Sequence, residues 1–335
     1  MKTHLKAMAV ATSLIAGGLV SVSAHAAAYA IVTNNVQNGF IQPLVNNVLD
    51  FSGQFISAGT PGSTSNSSAT LTGFLGVANF ASGVNPDSPI STLGSTAGRL
   101  NETLGVAPYY KQEGAQPGQN FSFGDANVIS EQASAATRIQ ARNIAESNIG
   151  TSGTNVGTAD GTNASSTIFN LTGCSATNTC QLGFSFDADP YLYAELDALA
   201  QANPASFARG TLDFSVTLNK LNPVTGSTSP VFLWAPDGSP GGILGGTELL
   251  DPEALNVSVQ ALVPGTFDQK SGPYASGGFG SFAAVTDNLN DGTYTLTLRM
   301  NEKTEVKRTV PEPGTLAMLG LGLMGVAFGG RRKHV

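Results

Sequence analysis

Apolar and polar positions alternate one-for-one along much of the second half of the chain. Leu212, Phe214, Val216 and Leu218 do so within Thr211 to Leu221, the period of a strand with one buried face. Leu255, Val257, Val259 and Ala261 repeat the pattern from Ala254 to Val263. Two further runs, Gly278 to Asp287 and Gly292 to Met300, are joined by a turn over Asn288 to Asp291. Alternation from Thr293 to Arg308 is long enough for a bent final strand. Thr167 to Thr172 and Gln181 to Asp187 read as a hairpin, and Val231 to Trp234 as a strand ended by Pro236-Asp237-Gly238. The first half is less regular. Ala28 to Thr33 reads as a strand, Leu44 to Ile56 as a strand broken by a turn at Gly53 with a helical turn as the alternative, and Ala69 to Ser82 as a strand with a bulge or bend at its glycines. Gly59 to Ser68 and Asn85 to Thr96 read as loops.

Two stretches carry the helical period instead. From Ala126 to Ile149, Val128, Ile129, Ala133, Ala136, Ile139 and Ile144 recur roughly every 3.6 residues, with Asp125 as N-cap and Gly150 as stop. Arg142 and Glu146 stand four apart, the spacing of a helical ion pair. Pro190 to Asn203 is a shorter helix, with Asp189 as cap and Pro204 beyond its end. Between them lies a repeat, Gly153-Thr-Asn-Val, Gly157-Thr-Ala-Asp, Gly161-Thr-Asn-Ala. It reads as a flexible surface loop, and its threonines align on one face only if the segment is extended. The expected fold is mainly β: a β-sandwich, jelly-roll-like, with one or two helices packed on it. A loop boundary at residues 150–165 is the alternative to one domain over 29–309.

Both ends look like targeting segments. Lys2 and Lys6 precede an apolar run from Met8 to Val22 and a small-x-small site, Ala24-His25-Ala26, so residues 1–28 read as a secretory signal peptide. At the other end, Val310-Pro311-Glu312-Pro313 leads into seventeen uncharged residues, Gly314 to Gly330, and then Arg331, Arg332 and Lys333. Such a run makes a helix about 25 Å long, the short end of a membrane span. The basic cluster after it stays in the cytoplasm by the positive-inside rule. The prolines keep the Pro-Glu-Pro extended and open to processing. In that order these features resemble the PEP-CTERM sorting signal, whose motif is also known as the ice-binding protein C-terminal motif. The resemblance covers residues 310–335, and with them the transmembrane helix 314–330. It implies processing by an exosortase at the inner membrane, then display at the cell surface or release. It further implies association with exopolysaccharide and biofilm matrix.

Composition removes most catalytic chemistries from the part between. All three histidines, His4, His25 and His334, lie in the targeting ends. Residues 29–309 therefore hold no imidazole for a Ser-His-Asp triad or a His-ligated zinc. They hold 22 Asp and Glu against 11 Lys and Arg, a balance that does not favour nucleic acid. Cys174 and Cys180, with five residues between them, read as a disulfide in an exported chain. Carboxylates are the remaining catalytic vocabulary: Asp187 and Asp189, then Glu248, Asp251 and Glu253. Turn and cap roles are the plainer reading, and no catalytic residue is assigned. Asp287-Asn-Leu-Asn-Asp291-Gly292 matches a calcium loop in part, but Leu289 stands at a ligand place, so a hairpin turn is preferred and no metal residue is assigned. Tyr109, Tyr110, Trp234 and Tyr274 can stack on sugar rings. The expectation is thus a non-enzymatic surface or matrix protein, structural or adhesive. A carbohydrate-binding module is the alternative, and a carboxylate-only hydrolase a more remote one.

Overall fold

The computed structural model describes residues 27–49, 56–58, 62–73, 75–83, 91–94, 119–133, 136–151, 155–197, 206–271 and 280–309. Its first strands are β1 (Ala28–Val45), β2 (Val48–Leu49), β3 (Ile56–Ala58), β4 (Gly62–Leu71), β5 (Val77–Gly83) and β6 (Ser91–Gly94). Next come β7 (Asn120–Ala133), β8 (Ala136–Ile149), β9 (Asn155–Leu171), β10 (Cys180–Ala188), β11 (Tyr191–Leu196) and β12 (Phe207–Leu221). The last are β13 (Thr228–Trp234), β14 (Gly246–Leu250), β15 (Val257–Ala261), β16 (Thr266–Ser271), β17 (Gly280–Thr286) and β18 (Gly292–Arg308). They form two antiparallel sheets, an arrangement that fits a sandwich. The first sheet runs β14-β17-β10-β1-β8-β7-β6, with β11, β16 and β2 attached. The second runs β13-β12-β18-β9-β4-β5, with β15 and β3 attached.

One long strand organises each sheet. β1 pairs with β8 along one edge, and along the other with β11 over Ala28 to Thr33 and β10 over Val36 to Val45. Both ladders slip at one bulge, where Asn38 takes a positive φ of 51°, a conformation Asn tolerates better than most residues. Gly39 completes the bulge, because a Cβ there would sit 2.6 Å from the Ile139 carbonyl oxygen. β18 pairs over its whole length with β9 and over most of it with β12.

The structure overturns both expected helices. Among the described residues there is no helix. Ala126 to Ile149 belongs to the β7–β8 hairpin, paired from Asn120↔Ile149 to Ala133↔Ala136. The misreading has a physical cause. Residues 121–128 and 141–150 are buried on both faces, so alternation vanishes and helical spacing matches by default. The second face carries Tyr29, Ile31, Phe121 and Tyr193, and there Tyr29 Oη donates to Glu146 Oε1 at 2.7 Å. Arg142 and Glu146 therefore lie on one face of a strand, not one turn apart on a helix. The other expected helix contains β11. Pro190 does not open a helix but interrupts the ladder between β10 and β11, since it has no N–H to give.

Three expected loops also hold strands, one of them β6 within Asn85 to Thr96. β4 occupies Gly62 to Leu71, and the Ala69 to Ser82 run is divided between β4 and β5 around Thr72 and Gly73. From Asn155 on, the Gly-Thr repeat is the first half of β9, inside the stretch read as a loop boundary and in the middle of the second sheet; Gly153 and Thr154 lie outside the described residues. Gly157, Ala159 and Gly161 point inward from it, while Thr158 and Thr162 point out.

The sandwich is thin at one part and thick at another. A Cβ on Gly124 of β7 would lie 2.5 Å from Asp160 O and 2.6 Å from Ser68 O, both in the other sheet. One on Gly161 of β9 would lie 2.6 Å from Asp125 O. Facing sheets usually stand about 10 Å apart, but here Cα atoms of β7 and β9 approach within 8 Å. Asparagine and serine bridge the gap. Asn163 Nδ2 donates to Asn127 O at 2.7 Å, Asn143 Nδ2 to Gly161 O at 3.1 Å, and Ser122 Oγ to Thr70 O at 2.9 Å. The thick part is aromatic. The Phe186 ring lies 4.8 Å from Phe214, 4.9 Å from Phe282 and 5.4 Å from Trp234 between ring centres.

The described chain begins and ends at one pole. Asp197 N donates to Ala27 O at 2.9 Å, and Thr309 N to Ser206 Oγ at 3.1 Å. The Arg308 guanidinium, lowered in pKa by burial, is held up by the Asp197 carboxylate and donates to Thr151 O. Val45, Cys180, Leu171 and Gly292 mark the opposite pole.

The thin region yields a stability test. Gly161→Val forces side-chain atoms against backbone that cannot move aside, and is expected to cost at least about 1–3 kcal/mol in urea unfolding. Gly62→Ala, where the nearest atom to the new Cβ is Ser166 O at 4.0 Å, should be close to neutral.

Candidate functional site

The expected disulfide is present. Cys174 and Cys180 are bonded, with their Cα atoms 5.5 Å apart. The loop they close is knitted into the pole opposite the chain ends. Cys174 N donates to Asp291 Oδ1 at 2.6 Å, Leu289 N to Cys180 O at 2.8 Å, and Asn46 N to Thr179 O at 2.9 Å. Asp291 thus serves the Cys loop, and Leu289 is buried beneath it. Segment Asp287 to Gly292 is not the expected hairpin turn: it carries the chain from β17 in the first sheet to β18 in the second. Among the described residues, no group of three or more His, Cys, Asp or Glu is placed to hold a metal ion.

The candidate carboxylates are engaged with backbone and core. Asp187 accepts from Ser281 Oγ at 2.7 Å and from Asn38 Nδ2 at 2.9 Å, which steadies the β1 bulge. Glu248 accepts the Trp234 indole N–H at 2.5 Å and Gly241 N at 2.9 Å. Asp251 Oδ2 caps the turn through Asp237 N at 2.9 Å and Gly238 N at 2.8 Å. Glu253 differs. Burial first, then the charges of Asp189 and Asp251, push its carboxyl from 4.5 up to about 7. Its Oε1 is buried without a hydrogen bond. This group can take a proton near neutrality.

The aromatic platform does not form around Trp234, which is only 1% exposed. Tyr109, Tyr110 and Tyr274 lie outside the described residues.

Sequence reasoning missed the outward face of the second sheet. Its side chains stand in rows across β12, β18, β9, β4 and β5. One row is Asp213, Asn301, Thr162, Asn66 and Phe80. The next on one side is Ser215, Arg299, Ala164, Thr64 and Ser82, and on the other Thr211, Lys303, Asp160, Ser68 and Ala78. Thr162 Oγ1 donates to Asn301 Oδ1 at 2.7 Å, and Ser68 Oγ to Asp160 Oδ2 at 2.8 Å. The signal was in the sequence, as the alternate Thr and Ser positions of 62–70 and 158–166. It resembles a loop because the inward positions are Gly, Ala, Ser and Asn, not apolar side chains.

Thr309 is the last described residue. Val310, Pro311, Glu312, Pro313, Arg331, Arg332 and Lys333 lie outside the described residues, as do residues 1–26 of the expected signal peptide 1–28; its last two residues, Ala27 and Ala28, are buried in the domain, and Ala28 opens β1. A family profile for the PEP-CTERM protein-sorting motif matches residues 309–333. The chain carries a PEP-CTERM protein-sorting motif. This motif implies exosortase processing, export and a place at the cell surface. It begins where β18 ends, so the central strand of the second sheet runs directly into it. Neither curated proteins nor solved structures show a match to this chain.

Glu253 gives a pH test with a definite sign. The unfolded chain loses this proton near pH 4.5, whereas the folded chain keeps it to about pH 7. Its contribution to stability is full below pH 4.5 and falls as pH rises through 7. Glu253→Gln should flatten that fall and unfold at higher denaturant than the wild type at pH 8. Unchanged pH dependence in the variant would show that Glu253 is not the group responsible.

Proposed function

We propose that this is an exported, non-enzymatic surface or extracellular-matrix protein, structural or adhesive within exopolysaccharide or biofilm. The observation that carries the reading is the sorting motif joined without a linker to a rigid β domain. In this reading the signal peptide is removed on export by cleavage after Ala26, which leaves Ala27 and Ala28 in the domain. Residues 314–330 then hold the chain in the inner membrane, with Arg331, Arg332 and Lys333 on the cytoplasmic side, until an exosortase acts at Val310-Pro311-Glu312-Pro313. The domain needs no cofactor for this role.

The fold suits display. Only Val310 separates Thr309, fixed by Ser206, from Pro311, so the enzyme meets the domain's pole almost as soon as it meets the motif. The disulfide-bearing pole then faces away from the membrane. A hydrolase is a poorer reading, because Asp187, Glu248 and Asp251 are committed to structural hydrogen bonds.

Deletion of residues 310–335 should move the protein from the membrane fraction to the soluble periplasmic or secreted fraction. Pro311→Ala with Pro313→Ala should leave the tail in place and accumulate the unprocessed, membrane-bound form. A truncated chain that stays with the inner membrane would sink the anchoring role of the tail.

A further inference from the structure

We propose that the outward face of the second sheet binds an acidic, hydroxyl-rich polysaccharide, one with carboxylates on its sugar units. The inference rests on the export reading above and assigns it a contact surface. Five strands bring hydroxyl and amide side chains into rows roughly 20 Å across. Such groups donate and accept at once, which is what a sugar hydroxyl requires. The Gly-Thr repeat supplies part of this surface through Thr158 and Thr162, extended on β9 with its glycines turned inward.

Charge decides the class of polymer. Residues 29–309 hold 22 acidic and 11 basic side chains, yet this face inverts the balance. It carries Arg209, Arg299, Lys303 and Lys307 against Asp160, Asp213 and Glu305. Arg209 stands opposite Glu305 and Lys303 opposite Asp160, which leaves Arg299 and Lys307 as the cations with no cross-strand carboxylate; charges more than about 8–10 Å away are screened at physiological salt, so these local cations are what a ligand meets. Along β18, Arg299, Lys303 and Lys307 recur every fourth residue on the outward side, roughly 13 Å apart. Arg299 is exposed, with Ser215 and Ala164 as its cross-strand neighbours. A guanidinium so placed takes a carboxylate through two parallel hydrogen bonds, while the flanking hydroxyls take the ring substituents. In the adjacent row Phe80, 63% exposed, offers an apolar ring beside Asn66 on which a sugar face can rest.

The test uses the full-length chain in detergent, with sodium alginate as the acidic probe, dextran as the neutral one, and phosphatidylglycerol vesicles as an anionic surface without sugars. Affinity electrophoresis should show retardation by alginate, weakened by added salt, and little by dextran. Arg299→Ala with Lys303→Ala should lose at least about tenfold in affinity, and Phe80→Ala several-fold. Lys270→Ala, which removes an exposed positive charge from β16 of the other sheet, should bind as wild type. Arg299→Gln alone, the mildest change, reads the same loss if the double variant melts early. Equal binding by wild type and Arg299→Gln, equal retardation by dextran, or a preference for the vesicles each overturns the proposal. A chain that reaches the cell surface yet ignores alginate overturns this inference and leaves the export reading standing.

Discussion

The backbone-to-backbone approach of the two sheets at Gly124 and Gly161 is the constraint on which the rest of the domain depends. A single methyl at either position meets a carbonyl oxygen of the opposite sheet at about 2.5 Å. Large apolar side chains therefore cannot fill this part of the interior, and Gly, Ala, Ser and Asn take their place. Sheets held this closely exchange hydrogen bonds through side-chain amides, with Asn143 and Asn163 each reaching carbonyls across the gap. Apolar burial is concentrated instead around Phe186, whose ring touches three other aromatic rings. The domain thus combines an aromatic core with a polar seam.

The polar seam has one unusual member. Glu302 on β18 is completely buried, and neither carboxylate oxygen has a hydrogen-bond partner among the described residues. Burial pushes its carboxyl well above the usual carboxylate range; the neighbouring Asn143 amide, short of hydrogen-bond geometry, opposes this weakly, and the Asp213 charge adds to it. A buried carboxylate without a partner is costly, so the neutral acid is the form this site favours. The same seam lets β9 carry glycines inward and threonines outward, which gives the second sheet its polar outer face.

The position of the chain ends links the fold to export. Ala27 and Thr309 meet at one pole through Asp197, Ser206 and Arg308. The strand that leads to the sorting motif is the central strand of its sheet, with β12 and β9 on either side. Tension on the tail is therefore carried by a ladder of hydrogen bonds rather than by a loose edge. The Cys174–Cys180 loop braces the far pole by local pinning, consistent with the few residues it encloses.

Local chemistry was legible in the sequence, and it was enough for the sorting motif, the Cys174–Cys180 bond and the strands whose one face is apolar, such as Leu212 to Leu218. These depend on residue type and spacing alone. Prolines 311 and 313, an uncharged run and a basic cluster have their meaning in any fold. What the tertiary structure alone decided is which residues share a wall. Residues 121–128 of β7 and 141–149 of β8 are buried on both faces, so the period-2 signal that marks a strand is absent there, and Ala126 to Ile149 mimics a helix. β4 and the start of β9 are buried against a backbone too close for apolar side chains, so their inward face is as small and polar as a loop. In both cases periodicity reports contrast between two environments. Where the fold makes the two faces alike, only the partner strands, distant in sequence, determine the structure.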